Sequence, residues 1–525
     1  MIKSHHPSDN CAARYWLAGV FTLLAAAVIL MCDPAVAHKG IVEERAGLDH
    51  EPTRERPFPP SYITTDSGRP LRAEDFESPE VCAGCHPRQY EGWRGSMHSF
   101  SFKDPIFQAE WAKGDKAMDG KLLYYCGACH APIGTITQSL SFDEESGKFV
   151  SSNEIATRGV SCDVCHQMTD TNFLNTHTLE HGNASFNISP GNTKYGPLKD
   201  AVSPYHDTQY SELHTRADLC ANCHNIHHPI NGMPIERTYD EWKRSVYAQH
   251  DIVCQDCHMN PVETAIRIAK ELKRPEELAE EVERLRGKAG TVAKSERSVV
   301  HNHEFVGGNA VITAALQPDN KAARRHADIA RQRLQNAAEV DLAMRRLDNG
   351  LLELAVDVRN VAAGHHLPTS LTQVREMWLQ IDVRDGRGTK LLSNGGLDSH
   401  GDIEQGSVIF RTVAVDTAGN ATHNPWEMNH FVEDTTIPPK GHALHRFVFP
   451  MPKDATVKVD VRLNYRSASQ HFIDQLLGDG KVAVPIVRME HKVNEYRVAG
   501  KQIELISEKV DPPVAEDSVS SGTRH

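Results

Sequence analysis

The sequence predicts a multidomain chain, a mainly α/loop domain followed by an all-β antiparallel sandwich, and two observations carry that prediction. Ten of the twelve cysteines fall into five identical short motifs between Cys82 and His258. From Val340 onward there are no cysteines, and apolar residues alternate with polar ones, the period of a half-buried strand.

The five pairs are Cys82/Cys85, Cys126/Cys129, Cys162/Cys165, Cys220/Cys223 and Cys254/Cys257, followed at once by His86, His130, His166, His224 and His258. C-x-x-C-H is the signature of covalent c-type haem attachment. Two thiols form thioethers to the porphyrin, and the adjacent imidazole swings under the iron as its proximal ligand. Zinc ribbons, thioredoxin-like sites and disulfides also use C-x-x-C, but none of them requires the histidine. With 30 histidines in 525 residues, five chance matches have odds on the order of one in a million. Five covalent haem c groups are therefore the expected cofactors, and Cys82 to His258 gives each too little chain for an apolar core of its own. The first domain, 38–309, should consist of short helices and loops packed around porphyrins, without long strands.

The amino terminus reads as a signal peptide over residues 1–37. An apolar run from Trp16 to Met31 follows Lys3 and Arg14 and precedes Ala35-Val36-Ala37, an A-x-A cleavage site. At 16 residues the run is short for a membrane span, which needs roughly 20. Cleavage would remove Cys11 and Cys32 and leave no stable transmembrane span. The expected location is periplasmic, extracellular or at the cell surface. A formal net charge of −13 and 6% aromatic residues carry no nucleic-acid signature. Propionates would add negative charge, so redox partners, other cytochromes or quinol-linked membrane complexes, should present a basic patch. Self-assembly of the chain is equally compatible with the motifs.

A second histidine on each iron favours electron transfer, whereas an open position favours chemistry. By position His98, after Trp93, His206 and His214, just before the fourth motif, and His303, after the last, are candidate distal ligands. The fifth stays open among His177, His181, His227, His228, His250, His301 and His365. No histidine is placed as clearly for the third motif, at Cys162 and Cys165, so that haem is the candidate for an open position.

The segment Cys82 to Asn309 resembles the tetrahaem-cytochrome/hydroxylamine-oxidoreductase superfamily of multihaem cytochromes. The matching phrases include Cys82-Ala83-Gly84-Cys85-His86 with Trp93 and Ser96-Met97-His98, and Gly159-Val160-Ser161-Cys162-Asp163-Val164-Cys165-His166. They continue with Tyr195-Gly196-Pro197-Leu198 before His206, Thr238-Tyr239-Asp240-Glu241-Trp242, and Cys254-Gln255-Asp256-Cys257-His258-Met259. The resemblance implies stacked haem pairs, mostly with two histidine ligands, and His98, His206 and His303 as distal ligands. It departs from the family in having five motifs rather than four or eight, and no lysine replaces a motif histidine.

Between the last motif and His303, residues 262–296 interleave Lys, Arg and Glu, which predicts one or two exposed helices broken near Pro275. A helical linker over 310–339 is expected, with a helix from Asn320 to Ala338. The sandwich spans 340–508, with strands over 351–358, 376–383, 407–415, 443–449, 455–465 and 492–498, and a disordered tail over 509–525. A loop after the first of these strands, Gly364-His365-His366-Leu367-Pro368-Thr369, is similar to a G-H-x-L-P-T phrase in carboxy-terminal domains of multihaem cytochromes. His365 either caps a haem iron or hydrogen-bonds within a turn.

Two function classes follow. One is an electron carrier or conduit in which nearly every iron has two histidine ligands. The other is a haem oxidoreductase acting on a small nitrogen or sulfur oxyanion, or nitric oxide, at one open iron.

Overall fold

The computed structural model describes residues 47–500 and 502–510. The signal segment, Cys11, Cys32 and residues 511–525 of the expected tail lie outside these. Among the described residues no helix is long and apolar enough to cross a membrane.

Residues 47–309 fold as short helices joined by long loops, with strands of only two to four residues. The longest helix there is α1, Pro105–Ala117, capped by Asp104, whose side chain accepts from the Ile106 amide at 2.9 Å. Apolar side chains form several small clusters rather than one core. Phe58, Ile63, Ile133 and Phe186 make one; Phe102, Trp111 and Phe149 a second; Tyr247, Ile252 and Ile268 a third. The clusters reach a common cavity of about 2170 Å³, lined largely by apolar side chains, through Val164 and Met168 of the first, Trp111 of the second, and Tyr247 and Ile252 of the third. Pockets for single small ligands run about 300–1,000 Å³, so this one has room for several large groups.

The charged insertion is less exposed than its composition predicts. Helix α2, Val262–Glu271, buries Val262, Ala265, Ile268 and Ala269 along one face, and Arg267 on the other pairs with Glu271, Glu280 and Glu281. The charges are real but one-sided, and the buried residues at i, i+3, i+6 and i+7 make an ordinary amphipathic helix. The chain does break where expected, at a short 3₁₀ turn, Pro275–Glu277, before Ala279–Leu285.

The linker is a helical hairpin, α3 (Ala310–Leu316) and α4 (Lys321–Ala337). Asn320 caps α4 by accepting from the Ala322 and Ala323 amides. Its buried face, Ala323, Ala327, Ala330, Leu334 and Ala337, recurs every three or four residues, and Ala327 and Leu334 join the core of the β region.

That region contains β1 (Ala338–Arg346), β2 (Leu352–Asn360), β3 (Glu376–Asp385), β4 (Lys390–Asn394), β5 (Ile409–Phe410), β6 (Thr412–Val415), β7 (Ala421–Thr422), β8 (His430–Asp434), β9 (His442–Phe449), β10 (Thr456–Arg466), β11 (Val487–Ala499) and β12 (Gln502–Val510). Three antiparallel sheets result, ordered β1-β2-β9, β4-β3-β10-β11-β12 with β5 on β3, and β7-β6-β8. Leu352, Leu354, Val356 and Val358 of β2 share one core with Met377, Leu379, Ile381 and Val383 of β3 and Val457, Val459, Val461 and Leu463 of β10. The period-two pattern thus places every second side chain inward.

Two boundaries differ from the sequence reading. The stretch 407–415 is not one strand: the chain changes sheets at Arg411, whose amide donates to the Thr435 hydroxyl and whose carbonyl accepts from the Thr435 amide in place of the β3 pairing. Residues 509 and 510, expected in the tail, belong instead to β12, which pairs with β11 through Val510. Strands β4, β7 and β8 were not legible, being short and largely exposed, with no alternation to read.

Candidate haem sites

Each motif sits on or just after a turn of helix: Pro79–Ala83, Leu123–His130, Cys162–His166, Asp218–Ala221 and Cys254–His258. Spacings of three and four place both thiols and the imidazole on one face of such a turn. Where the helix stops early the turn continues: the His86 amide bonds to the Cys82 carbonyl at 2.8 Å, and His224 to Cys220 at 3.0 Å. None of the ten motif cysteines is tied up in a disulfide. All ten, and all ten candidate ligand histidines, line the common cavity.

Four motif histidines stand opposite a second imidazole. Ring centroids are 6.4 Å apart for His86 and His206, 6.2 Å for His224 and His98, 6.2 Å for His166 and His303, and 6.3 Å for His258 and His365. Two imidazole nitrogens on opposite sides of one metal ion, each at about 2.0 Å, put the centroids roughly 6 Å apart. Four separations within 0.2 Å of each other fit that arrangement and are too long for direct ring stacking.

The outer nitrogens fit it as well. Nδ1 hydrogen-bonds a backbone carbonyl in His86 (Ala289, 2.9 Å), His166 (Tyr195, 2.7 Å), His258 (Val306, 3.0 Å), His206 (Asp207, 3.0 Å) and His365 (His366, 3.0 Å). A donating Nδ1–H leaves the Nε2 lone pair for a metal and fixes the ring's orientation. His224 differs, with Nδ1 3.4 Å from the Glu236 carboxylate. Burial pulls His98, His258 and His303 down to about 3 and His130 to about 4. These rings are therefore neutral at pH 7, the form that binds a metal.

Local packing explains how distant segments bring the pairs together. The Trp93 indole N–H donates to the Val160 carbonyl at 2.7 Å, and the Val160 amide to the His98 carbonyl at 2.8 Å. Gly159 makes this approach possible: its φ is +63°, and a Cβ there would lie 2.3 Å from the His98 carbonyl oxygen. Gly92 does the same for the His303 backbone, 3.0 Å from where its Cβ would be. The loop 286–299 returns to the first motif, where the Thr291 amide donates to the Cys85 carbonyl at 2.8 Å and Ala289 receives His86. So the insertion, expected to be only a solvated face, holds one motif histidine in place. The His365 loop is pinned by the Asn360 side chain, which donates to the His365 carbonyl at 2.9 Å. It is also pinned by Glu241, which accepts from the His366 amide and the Thr369 hydroxyl at 3.1 and 2.6 Å.

Two expectations are corrected. The third motif does not lack a partner, because His303 faces His166. The second motif does: among the described residues no imidazole stands opposite His130, whose ring instead stacks on Phe107 at 3.6 Å and 4°. His214, expected as a distal ligand, directs Nε2 to the Cys165 carbonyl at 2.9 Å and leans on His166 at 5.7 Å, outside the set of four separations. Of the other competitors, His177 bonds Tyr62 and the His228 carbonyl, His227 pairs with Glu180, and His228 bonds the Trp426 carbonyl. Phe107, Glu236 and Phe305, 4.6 Å from His98, went unnoticed in the sequence, since single Phe and Glu residues outside a motif give no signal.

The motifs also touch one another in a branched order. The Cys82 side chain adjoins that of Cys162, and Cys220 adjoins Cys254. A Cys129–Cys223 contact raises Cys223. Burial pushes Cys165 up to about 12, with Cys220 and Cys223 adding to it. The first motif thus adjoins the third, the third the fourth, and the fourth both the second and the fifth.

Comparison with known proteins agrees with this class of site. Residues 81–167 match the family model for cytochrome c554 and c-prime. A penta-heme cytochrome c552 from Thermochromatium tepidum has a similar fold, with a TM-score of 0.52 at 18% identity, covering 81% of this chain and 99% of that one. No curated protein matches. Together with the repeated motif, these findings support a multihaem cytochrome c.

Proposed function

We propose that the chain is an exported pentahaem c-type cytochrome that passes electrons between redox partners. The observation that carries this reading is the set of four imidazole pairs with centroids 6.2–6.4 Å apart. His86/His206, His166/His303, His224/His98 and His258/His365 would each hold one iron, with the paired cysteines attaching its porphyrin, and haem c supplies one-electron transfer. Each pair would supply its iron with two histidine ligands. The adjacency of the motifs gives a path from the first through the third to a junction at the fourth. The A-x-A-terminated apolar run supports export, and the acidic chain suits partners with basic docking patches. The two sheets sharing one core support the sandwich reading of the β region.

A second reading rests on His130. With no imidazole opposite it among the described residues, the second motif, not the third, is the place for an oxidoreductase centre, one step from the junction.

Intact mass and reductive titration of the purified chain test the first reading. The expected result is a mass increase of five haems, all reducible. A chain of unmodified mass, or one whose cysteines bind zinc, would overturn it.

A further inference from the structure

Arg333, on the cavity face of α4, is a cation without an anion. Its Nη2 donates to the Cys257 carbonyl at 2.8 Å and reaches the Asn260 carbonyl at 3.4 Å. Its Nε is enclosed and has no hydrogen-bond partner. Among the described residues no carboxylate forms an ion pair with it. Glu304 and Glu263 act on it only from a distance, and Glu304 is already paired with Arg325 at 2.7 Å. An enclosed guanidinium in this state carries a desolvation penalty that a carboxylate would offset, and its planar fork matches a carboxylate's two oxygens. The position is specific: the guanidinium hangs on the backbone of the fifth motif, and Leu334 and Ala337 beside it line the same cavity.

We propose that Arg333 receives a haem propionate in the common cavity and, standing at the fifth motif, holds up the reduction potential of the haem attached at Cys254 and Cys257. This rests on the haem reading above. A fixed positive charge beside the group stabilises the reduced, less positive state, and low dielectric strengthens the effect. The fourth motif has the opposite electrostatics, since Glu236 faces His224. The two neighbouring centres are thus separated in potential, with the fifth the more oxidising, and electrons at the junction run toward the β region's His365.

The test is a spectroelectrochemical titration of the full-length exported protein, native and R333Q, with haem content measured by intact mass. In R333Q all five haems remain and one midpoint moves negative while the other four stay within error. A titration that superimposes on the native one at full haem content overturns the proposal, as does a shift spread over all five midpoints, the mark of a structural role. If R333Q fails to accumulate, R333K carries the test: a single smaller negative shift supports the proposal, and none refutes it. Native protein of unmodified mass would instead remove the haem reading itself.

Discussion

Replacing both Cys220 and Cys223 with alanine is expected to abolish accumulation of the folded protein. The fourth motif borders three others, through Cys254, Cys129 and Cys165, so its porphyrin would be shared core for most of residues 82–309. The apolar clusters around the cavity are small and separate, and none could collapse over the space a missing porphyrin leaves. A single large-to-small core substitution costs about 2–5 kcal/mol, and this void is several times larger, against a total stability of about 5–15 kcal/mol. Yield and thermal melting of the exported chain check it. A four-haem protein melting at the native temperature would show that the haem domain does not depend on a shared core. The same pair of substitutions at Cys82 and Cys85, at the end of the branched order, should be milder and leave a four-haem protein.

His365→Ala should leave five haems attached but convert one low-spin iron to high-spin. Cys254, Cys257 and His258 remain to bind the fifth haem, so only the far axial position opens, 6.3 Å in centroid distance from His258. The spectrum should gain one high-spin iron per chain, and exogenous imidazole should reverse the change. His214→Ala is the matched control, and its spectrum should not change, since Nε2 of His214 is committed to the Cys165 carbonyl. An unchanged spectrum in H365A, or a new high-spin iron in H214A, would reverse the assignment of these two residues. Because His365 is carried by a β-region loop, the H365A result also decides whether that region belongs to the electron path.

How much of this was legible in the sequence depended on the range of the interaction. The motifs were readable because thioether attachment and proximal ligation are confined to five consecutive residues. The strands β2, β3 and β10 were readable because burial on one side writes itself as alternation. His98, His206 and His303 stood in recognisable phrases, but which iron each faces depends on contacts across more than a hundred residues, such as His98 with His224. The same is true of His130: that no imidazole among the described residues opposes it is a property of packing, not of its neighbours. The insertion's role is not legible because charge composition over 262–296 hides both the buried face of α2 and the backbone carbonyl of Ala289 that receives His86.

Low-temperature electron paramagnetic resonance of the oxidised protein, with haem content measured on the same sample, tests the account most directly. Four imidazole pairs, with none opposite His130 among the described residues, predict four low-spin irons and one high-spin iron per chain. Five low-spin irons would mean that a ligand does face His130, leaving a pure conduit, and two or more high-spin irons would contradict the four imidazole pairs.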